Sequence, residues 1–441
     1  MVSVGLQESA NSSGNPVYTF SQFIGVTAMA SSALRSPSTT AASSTRALVS
    51  AGRLASLDIM RGLVMVIMAI DHTRDFFTNV PFAPENLKFT YYSLFFTRWI
   101  THFCAPLFFF LAGTGAYFYG RRRTPQALSR FLWTRGLWLI ILEFTVVGFA
   151  WTFVVTGGFF GVIWALGASM VIMALVVRLP FSWIVASSTL MIATSDLFDR
   201  VRPQQFGSFA WLWTILHVRG MAILPFHIPK FVLFQIVPWV GVMAAGYVFG
   251  KLYELDGDRR NKILVRLGMA LTIAFILLRA TNLYGNPPVG LGGVSQGDWH
   301  VQPTVEKTVI LFLDVEKYPP SLQFLLMTLG PSLLLLAWLE KSKLPRWTSP
   351  LVTFGRVPMF FYLLHLYLIH LLAIAVAPLF HQPVDWLFHG GFFLRGTPDD
   401  YGHGLPFVYL MWFVVVVMLY FPCRWFAALK QRRKDWWLSY M

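Results

Sequence analysis

Charged residues are scarce in this sequence, and cysteine is nearly absent. Only 12% of the 441 residues are charged, and only two are cysteines, Cys104 and Cys423. Two cysteines that both lie in apolar segments do not indicate a secreted scaffold built on disulfides. Because a soluble globular chain carries about twice this share of charge, the composition excludes an ordinary soluble protein.

Several catalytic and binding motifs are also missing. The sequence contains no HExxH or clustered cysteine and histidine pattern, no GxxxxGK[ST] loop, no GxGxxG turn after a strand and no GxSxG elbow. These absences argue against a zinc hydrolase, a P-loop enzyme, a dinucleotide-binding enzyme and a serine hydrolase. Nucleic-acid-binding modules are missing as well, and no metal site is predicted.

Long apolar runs fill most of the chain, and 56% of its residues are hydrophobic. Lipid offers no hydrogen-bond partner to the backbone, so a spanning segment is a helix of about 20 mostly apolar residues. We therefore predict an all-α, polytopic membrane bundle of about ten transmembrane helices. The predicted spans are residues 54–76, 99–119, 131–155, 159–177, 181–197, 231–250, 263–281, 322–339, 351–376 and 406–425.

Basic residues set the predicted orientation of these spans. The chain has 35 Lys and Arg against 20 Asp and Glu, for a formal net charge of +15. Most of the basic residues, including those in 120–135 and 251–262, fall on one side if the N-terminus is inside. The positive-inside rule therefore predicts an N-in and C-in multi-pass protein of the cell inner (plasma) membrane, and it accounts for the charge without nucleic acid.

Composition divides the chain into three parts. Residues 1–52 are rich in Ser, Thr and Ala, and such a segment cannot bury enough apolar surface to fold alone. We predict that residues 1–52 are disordered. Residues 53–426 form the predicted transmembrane domain, and residues 427–441 form a basic cytoplasmic tail.

Polar residues gather at both ends of the first span, LDIMRGLVMVIMAIDHTRDFF. At the cytoplasmic end, Asp58 and Arg61 are three residues apart and lie on one helix face. The outer end carries Asp71, His72, Arg74 and Asp75. Ionisable groups within a membrane segment are costly and usually mark a functional site, although anchoring at the membrane edge also explains the cytoplasmic pair.

The second span begins with RWITHFCAPLFFFLAG, in which Arg98 and His102 are four residues apart and share one face. Because the first two spans are consecutive and antiparallel, we expect His72 and Asp75 to lie opposite this face. A carboxylate beside an imidazole suits a general base, and a nearby arginine can hold developing negative charge. A buried ion-pair network that only joins the two helices is the competing interpretation.

The ninth span, FGRVPMFFYLLHLYLIHLLA, contains two histidines. His365 and His370 are five residues apart, so on a helix they cannot both face one ligand. We predict that His365, on the same side as Tyr362, faces the bundle. A satisfied core histidine is the alternative.

Five segments carry a resemblance to a known family: LDIMRG, RWITHFCAPLFFFLAG, VPWVGVMAAGYVFG, KYPPSLQFLLMTLGP and FGRVPMFFYLLHLYLIH. From about Leu54 to Trp425, the sequence resembles bacterial membrane proteins grouped with the catalytic domain of heparan-alpha-glucosaminide N-acetyltransferase. The resemblance implies an acyltransferase that moves an acyl group, typically acetyl, from cytoplasmic acyl-CoA to an amine or hydroxyl of an extracytoplasmic glycan or glycolipid. Acyl-CoA is then a donor substrate, no tightly bound cofactor is implied, and membrane lipids are further partners.

One departure concerns the histidine that the family places in its first outer loop, which has no counterpart between the first two spans here. His72 and His102 are the remaining candidates for that role. Our hypothesis is that His72, oriented by Asp75 or Asp71, deprotonates the acceptor while Arg98 and His102 stabilise charge at the thioester carbonyl. A covalent acyl-histidine and direct transfer both stay open.

A second group of residues is predicted to bind substrate, and its basic inner members suit the phosphates of coenzyme A. The group consists of Arg74, Asp58, Arg61, Arg356, Tyr362 and His365.

The competing hypothesis is a non-enzymatic transporter or lipid-handling protein whose buried polar groups line a path through the membrane. It predicts solute flux without thioester cleavage, whereas an acyltransferase releases free coenzyme A. No internal repeat is evident, which disfavours the transporter. Formation of a homo-oligomer is left open by the sequence.

Overall fold

A computed structural model shows a chain that is built almost entirely of helices. It describes residues 9–10, 16–17, 38–155, 157–287, 295–342, 345–388, 397–433 and 435–440. The chain divides into two compact units, residues 1–49 and 50–441. The first unit contains two short antiparallel strands, β1 (Ser9–Ala10) and β2 (Pro16–Val17), and the beginning of the first helix.

The described residues form fifteen α-helices and, in the second unit, one β-hairpin. The helices are α1 (Ser38–Phe77), α2 (Tyr92–Thr101), α3 (Cys104–Gly120), α4 (Pro125–Leu142), α5 (Gly148–Thr152), α6 (Val162–Val176), α7 (Phe181–Thr194), α8 (Ala210–His217), α9 (Val237–Gly250), α10 (Gly257–Thr281), α11 (Val305–Leu313), α12 (Leu322–Lys341), α13 (Ser349–Arg356), α14 (Pro358–Val376) and α15 (Leu405–Arg432). The hairpin pairs β3 (Gly220–Leu224) with β4 (Ile228–Val232) in antiparallel register. A π-helical turn, Glu143–Val147, joins α4 to α5.

Short 3₁₀ helices complete the secondary structure of the described residues. They are Ser195–Phe198, Pro203–Phe209, Pro225–His227, Lys251–Glu254, Arg346–Thr348, Ala377–Phe380, Asp385–Phe388 and Trp436–Tyr440.

Seven of the described helical segments are long and apolar enough to cross a membrane, and the chain is a multi-pass membrane protein of the all-α class. All ten predicted spans overlap helices, but three of those helices are not among the seven. Helices α6 and α9 have only 15 and 14 residues, and α1 carries charged groups at both ends of its apolar stretch. The count of ten and the N-in orientation therefore stay predictions.

Helix α1 begins at Ser38, well before the predicted domain boundary at residue 52. Residues 38–51 contain several alanines and neither proline nor glycine, so a helix that starts in the apolar stretch can extend backwards through them. Most of residues 1–37 lie outside the described residues. At the other end of the chain, α15 continues to Arg432, past the predicted boundary at residue 426.

Helices α3 and α9 pack with their backbones in contact. A Cβ atom at Gly113 would lie 1.9 Å from the Met243 carbonyl oxygen, and one at Gly246 would lie 1.9 Å from the Phe110 carbonyl oxygen. The Thr114 hydroxyl donates to the carbonyls of Phe110 at 2.9 Å and Gly246 at 3.0 Å. Small residues that permit this approach are typical of helix pairs in membranes.

The second predicted span is interrupted at His102 and Phe103, between the end of α2 and the start of α3, although both residues keep right-handed helical dihedrals. Pro106 has no amide hydrogen to offer the carbonyl four residues earlier, which belongs to His102. Regular bonding resumes where the Leu107 amide donates to the Phe103 carbonyl at 3.3 Å. The break separates the segment that carries Arg98 from the helix that packs on α9.

Candidate active site

A cavity of about 420 Å³, called here the outer cavity, lies where α1, α2 and α3 meet the loops that follow them. Ionisable side chains crowd its wall, although burial of charge between apolar helices is costly unless the charge is paired or used. Those lining residues are Asp71, His72, Arg74, Asp75, Glu85, Arg98, Glu143, Arg219 and Lys317.

Five of these residues form a continuous chain of ion pairs. The Arg98 guanidinium binds Asp71 through Nη1 and Glu85 through Nε, the latter at 2.8 Å. The Arg74 guanidinium lies 3.0 Å from a carboxylate oxygen of Asp71 and 2.6 Å from one of Asp75. The network joins the end of α1 to α2 and to the loop between them, so it fixes the geometry of this end of the cavity.

Glu85 lies in the loop between α1 and α2 and was not predicted as a site residue. Burial alone would raise the pKa of its carboxyl group, but the charge of Arg98, together with His102, holds that pKa well below its usual range. Glu85 is therefore a buried carboxylate, and it keeps the Arg98 guanidinium in place.

His102 lies behind this network rather than in the cavity. Its Nε2 atom is 3.8 Å from a Glu85 carboxylate oxygen, its side chain is only 2% exposed, and its ring packs edge-on against Phe324. It is not among the residues that line the outer cavity. We expected His72 and His102 to meet in one reaction site; the structure places His72 in the cavity wall and His102 outside it, against Glu85.

His72 instead meets His365 of α14, with 2.7 Å between His72 Nδ1 and His365 Nε2. The Nδ1 atom of His365 lies 2.5 Å from the Tyr362 carbonyl and 3.2 Å from the Phe361 carbonyl. The His72 ring is also held edge-on against Trp151, with ring centres 5.1 Å apart. The imidazole therefore has a defined orientation in the cavity wall.

These contacts fix the protons of the neutral histidine pair. A carbonyl oxygen only accepts, so the Nδ1 atom of His365 carries the hydrogen and its Nε2 atom carries the lone pair. That lone pair accepts from Nδ1–H of His72, which leaves the lone pair of His72 on Nε2. Such an imidazole can take a proton from a molecule bound in the cavity.

The orientation of His72 by Asp75 or Asp71 was expected from their spacing in the chain. The structure shows a different partner, because Arg74 and Arg98 already occupy those two carboxylates. Sequence spacing identifies which side chains share a helix face, but it does not rank their possible partners.

We predicted that His365, rather than His370, faces the bundle. The structure shows that these two histidines of α14 differ in their contacts. His365 reaches His72, and Tyr362 lines the outer cavity. His370 is equally buried, but its Nδ1 atom bonds to the Ala150 carbonyl at 2.8 Å and its ring stacks on Phe153. Both histidines face the protein interior, and only His365 contacts a cavity residue.

The inner polar residues of α1 form a separate group. Arg61 Nη1 lies 2.9 Å from Asp58 Oδ1, and Arg356 Nε lies 3.7 Å from Asp58 Oδ2. Here α1 and α13 are in backbone contact, since a Cβ atom at Gly355 would lie 1.8 Å from the Asp58 carbonyl oxygen. Arg61 faces a second cavity, whereas Arg356 does not line it.

This second cavity, called here the inner cavity, has a volume of about 530 Å³. Its wall is mainly apolar side chains, and its basic residues are Arg61, Arg135 and Lys430. The inner and outer cavities share three lining residues, which are Phe108, Val162 and Tyr362. The two cavities therefore meet at these side chains.

Four charged lining residues were missed from the sequence: Glu85, Glu143, Arg219 and Lys317. Glu143 was detectable as an acidic residue inside an apolar span, which is a functional hypothesis by default. Its carboxylate accepts from the Trp164 amide at 2.8 Å and so fixes the start of α6. No periodic pattern marks Arg219 or Lys317, because both lie outside the long helices.

Comparison with known families gives a match over part of this architecture. Residues 53–281, just over half of the chain, match the family described as heparan-alpha-glucosaminide N-acetyltransferase, catalytic. The matched range includes His72, Arg98 and Arg219, whereas His365 and Lys317 lie beyond it. No curated protein matches the sequence.

Proposed function

The chain belongs to the heparan-alpha-glucosaminide N-acetyltransferase catalytic family, as its resemblance predicted, and from this premise we propose that it transfers an acetyl group across the cell inner (plasma) membrane. The donor is acetyl-CoA on the cytoplasmic side. The acceptor is an amine or hydroxyl of a glycan or glycolipid on the opposite side. In the N-in orientation, the inner cavity faces the cytoplasm and the outer cavity faces the extracytoplasmic space.

The inner cavity has the lining that a coenzyme A thioester requires. Arg61, Arg135 and Lys430 supply positive charge for phosphates, and the remaining wall is suited to the less polar pantetheine arm. Arg61 and His72 are separated by roughly 16 Å along α1 at the helical rise. A donor that reaches from Arg61 to His72 must be extended, as the pantetheine arm of coenzyme A is.

The observation that carries the proposal is the meeting of the two cavities at Phe108, Val162 and Tyr362. A thioester that reaches this point from the inner cavity lies next to the cavity that contains His72. An acceptor enters the same space from the opposite side. The acetyl group then needs to move only between two bound molecules, without a translocation step.

We assign His72 as the general base. Its Nε2 lone pair takes the proton of the acceptor amine or hydroxyl while the acceptor attacks the thioester carbonyl. The new C–N or C–O bond forms, the C–S bond breaks, and coenzyme A leaves as a thiolate that takes the proton from His72 Nε2. His365 is a positioning residue, because it holds the proton of His72 on Nδ1.

Arg98 is suited to stabilise the negative charge that develops on the carbonyl oxygen. Its Nε and Nη1 atoms bind Glu85 and Asp71, while in the described part of the chain Nη2 has no protein partner. A guanidinium held rigidly at a cavity wall is a preorganised donor for an oxyanion. Asp71, Arg74 and Asp75 complete the network that keeps it there.

The test is release of free coenzyme A by the purified full-length protein in membrane vesicles, with acetyl-CoA on the side of the inner cavity and glucosamine as acceptor on the opposite side. We expect His72→Gln to lower the rate at least about a hundredfold, the usual contribution of a general base. His300→Gln is the matched control, since His300 is an exposed outer histidine outside the cavity. Wild-type rates of acceptor acetylation in a folded His72→Gln protein would overturn the assignment.

A further inference from the structure

Two cations of the outer cavity have no carboxylate partner in the part of the chain that the structure describes. Arg74 and Arg98 are neutralised by Asp71, Asp75 and Glu85. Among the described residues, no acidic side chain lies within ion-pair distance of the other two cations of the wall. These cations are Arg219 and Lys317.

Arg219 lies at the start of the β-hairpin, immediately before β3. Its Nε atom is buried and makes no hydrogen bond within the described chain. The guanidinium carbon lies 5.7 Å from the ring centre of Phe231 and 5.9 Å from that of Tyr318. Aromatic faces hold the guanidinium in place without neutralising its charge.

Lys317 lies in the loop between α11 and α12, and only 6% of the residue is exposed. Its ammonium group lies 5.1 Å from the ring centre of Tyr318, the same ring that Arg219 approaches. A lysine that is buried to this degree is usually paired. Both cations therefore flank one aromatic ring in a cavity wall, and neither forms an ion pair with a carboxylate of the described residues.

The loop that carries Lys317 is built rigidly. Arg279 of α10 is fully buried and donates to the carbonyls of Leu311, Phe312 and Asp314 at 2.6 to 2.9 Å. The side chain of Glu316 accepts from the Tyr318 amide at 2.7 Å. Because these bonds fix the backbone on both sides of Lys317, its ammonium group faces the cavity at a defined place.

We propose that Arg219 and Lys317 form a subsite for an anionic group of the acceptor, either a phosphate or a carboxylate. This inference rests on the acetyl-transfer function proposed above, and it specifies the class of acceptor. Guanidinium and ammonium groups both make strong charge-assisted hydrogen bonds to such anions. The subsite holds the anion while the neighbouring amine or hydroxyl of the same molecule lies toward His72.

Arg219 also lines a third cavity of about 500 Å³, formed by the Pro203–Phe209 turn, α8 and β3. Arg219 thus lies between the outer cavity and this third cavity. Large apolar side chains are exposed near the third cavity, including Phe209, Leu212 and Met221. The same anionic chemistry can therefore come from a soluble sugar phosphate or from a sugar phosphate attached to a lipid.

The experiment compares three acceptors with the full-length protein in vesicles: glucosamine, glucosamine 6-phosphate, and an amino-sugar phosphate joined to a long-chain alcohol. We expect kcat/KM to be about tenfold to a hundredfold higher for the phosphorylated acceptors, the scale of one charge-assisted hydrogen bond. Lys317→Met and Arg219→Gln should each lower kcat/KM for the phosphorylated acceptors by more than for glucosamine, which removes most of that preference. A larger gain for the lipid-linked acceptor supports an acceptor that is attached to lipid.

Matched controls separate the subsite from general changes in charge and folding. Lys88→Met and Arg200→Gln each remove one exposed basic residue outside the cavity and should keep the preference. Lys317→Arg and Arg219→Lys retain the charge and should keep part of it. An equal loss for neutral and phosphorylated acceptors in Lys317→Met, or the absence of a preference in the wild type, would overturn the subsite.

A binding measurement distinguishes failure of the subsite from failure of the proposed function. Calorimetry with glucosamine 6-phosphate and glucosamine needs no turnover. If no acceptor releases coenzyme A, the acetyl-transfer function fails. Tighter binding of the phosphorylated sugar that is lost in Lys317→Met still supports the subsite, and equal binding of both sugars refutes it.

Discussion

Replacing Gly115 by leucine tests whether the inner cavity holds the acetyl donor. Gly115 lies in α3 and lines that cavity, and a Cβ atom built on it meets no heavy atom within 4 Å. A larger side chain at this position extends into the cavity rather than into a neighbouring helix. Activity and folding should therefore respond differently to the substitution.

The expected loss of donor affinity in Gly115→Leu follows from the volumes of the new side chain and of the inner cavity. Truncation of a buried leucine can leave a cavity on the order of 150 Å³, so a leucine at position 115 fills a sizeable part of the inner cavity of about 530 Å³. A donor that must compete with this side chain meets an overpacking penalty of about 1–3 kcal/mol, which corresponds to roughly a tenfold to hundredfold loss of affinity. Stability should hold or rise by up to about 1 kcal/mol, because glycine is unfavourable within a helix.

The assay is coenzyme A release as a function of acetyl-CoA concentration, with thermal unfolding measured on the same samples. Gly115→Ala should behave as the wild type. Gly113→Leu should fail to fold, because a Cβ atom two residues earlier would lie 1.9 Å from the Met243 carbonyl oxygen. A stable Gly115→Leu protein with an unchanged KM for acetyl-CoA would refute the placement of the donor.

Three further predictions concern the outer cavity. His365→Ala should lower kcat about a hundredfold with little change in KM, whereas His365→Gln should retain more activity because its carboxamide oxygen still accepts from His72 Nδ1. His102→Gln should leave coenzyme A release largely intact and reduce the free energy of unfolding by about 1 kcal/mol, because this ring lies outside the cavity. Glu85→Gln should cost about 3 kcal/mol at neutral pH, since it leaves the buried charge of Arg98 with one carboxylate fewer.

The contribution of Glu85 to the free energy of unfolding depends on pH, and the sign of this dependence follows from linkage. The pKa of Glu85 is depressed in the folded protein, so its contribution to stability is complete above the usual glutamate value of 4.5 and is lost as the pH falls below it. Thermal unfolding of the wild type and of Glu85→Gln should therefore converge in acid. A constant difference between the two unfolding temperatures at every pH would contradict the assignment of this carboxylate.

The two histidine predictions have their own contradicting results. These are full activity in His365→Ala, and loss of turnover without loss of stability in His102→Gln.

Helices were predictable from this sequence because apolar length alone requires them in lipid. The same reasoning located the polar end of α1 and the start of the next span, and the structure brings Asp71 and Arg98 together there. Helical spacing predicted that His365 faces the bundle, but the structure buries His365 and His370 equally, and they differ only in their contacts. Each of these results depends on residues that are near in sequence or belong to consecutive antiparallel spans.

The partner of His72 was not predictable by those means. His365 is 293 residues further along the chain, and no local pattern specifies which spans become neighbours. Glu85, Arg219 and Lys317 were missed for a related reason, since loops and hairpins have no period from which the direction of a side chain can be read. Tertiary packing decides whether a charge in such a segment is solvated or buried.

The three side chains shared by the two cavities have a consequence for the energised membrane. A potential of 100 mV places about 2.3 kcal/mol on each elementary charge that crosses it. If the cavities open to opposite sides, as we propose, that voltage falls across the region of Phe108, Val162 and Tyr362. Two hydrocarbon side chains and one phenol give protons no continuous relay there, so the proposed transfer of a neutral acetyl group requires no proton to cross the same barrier.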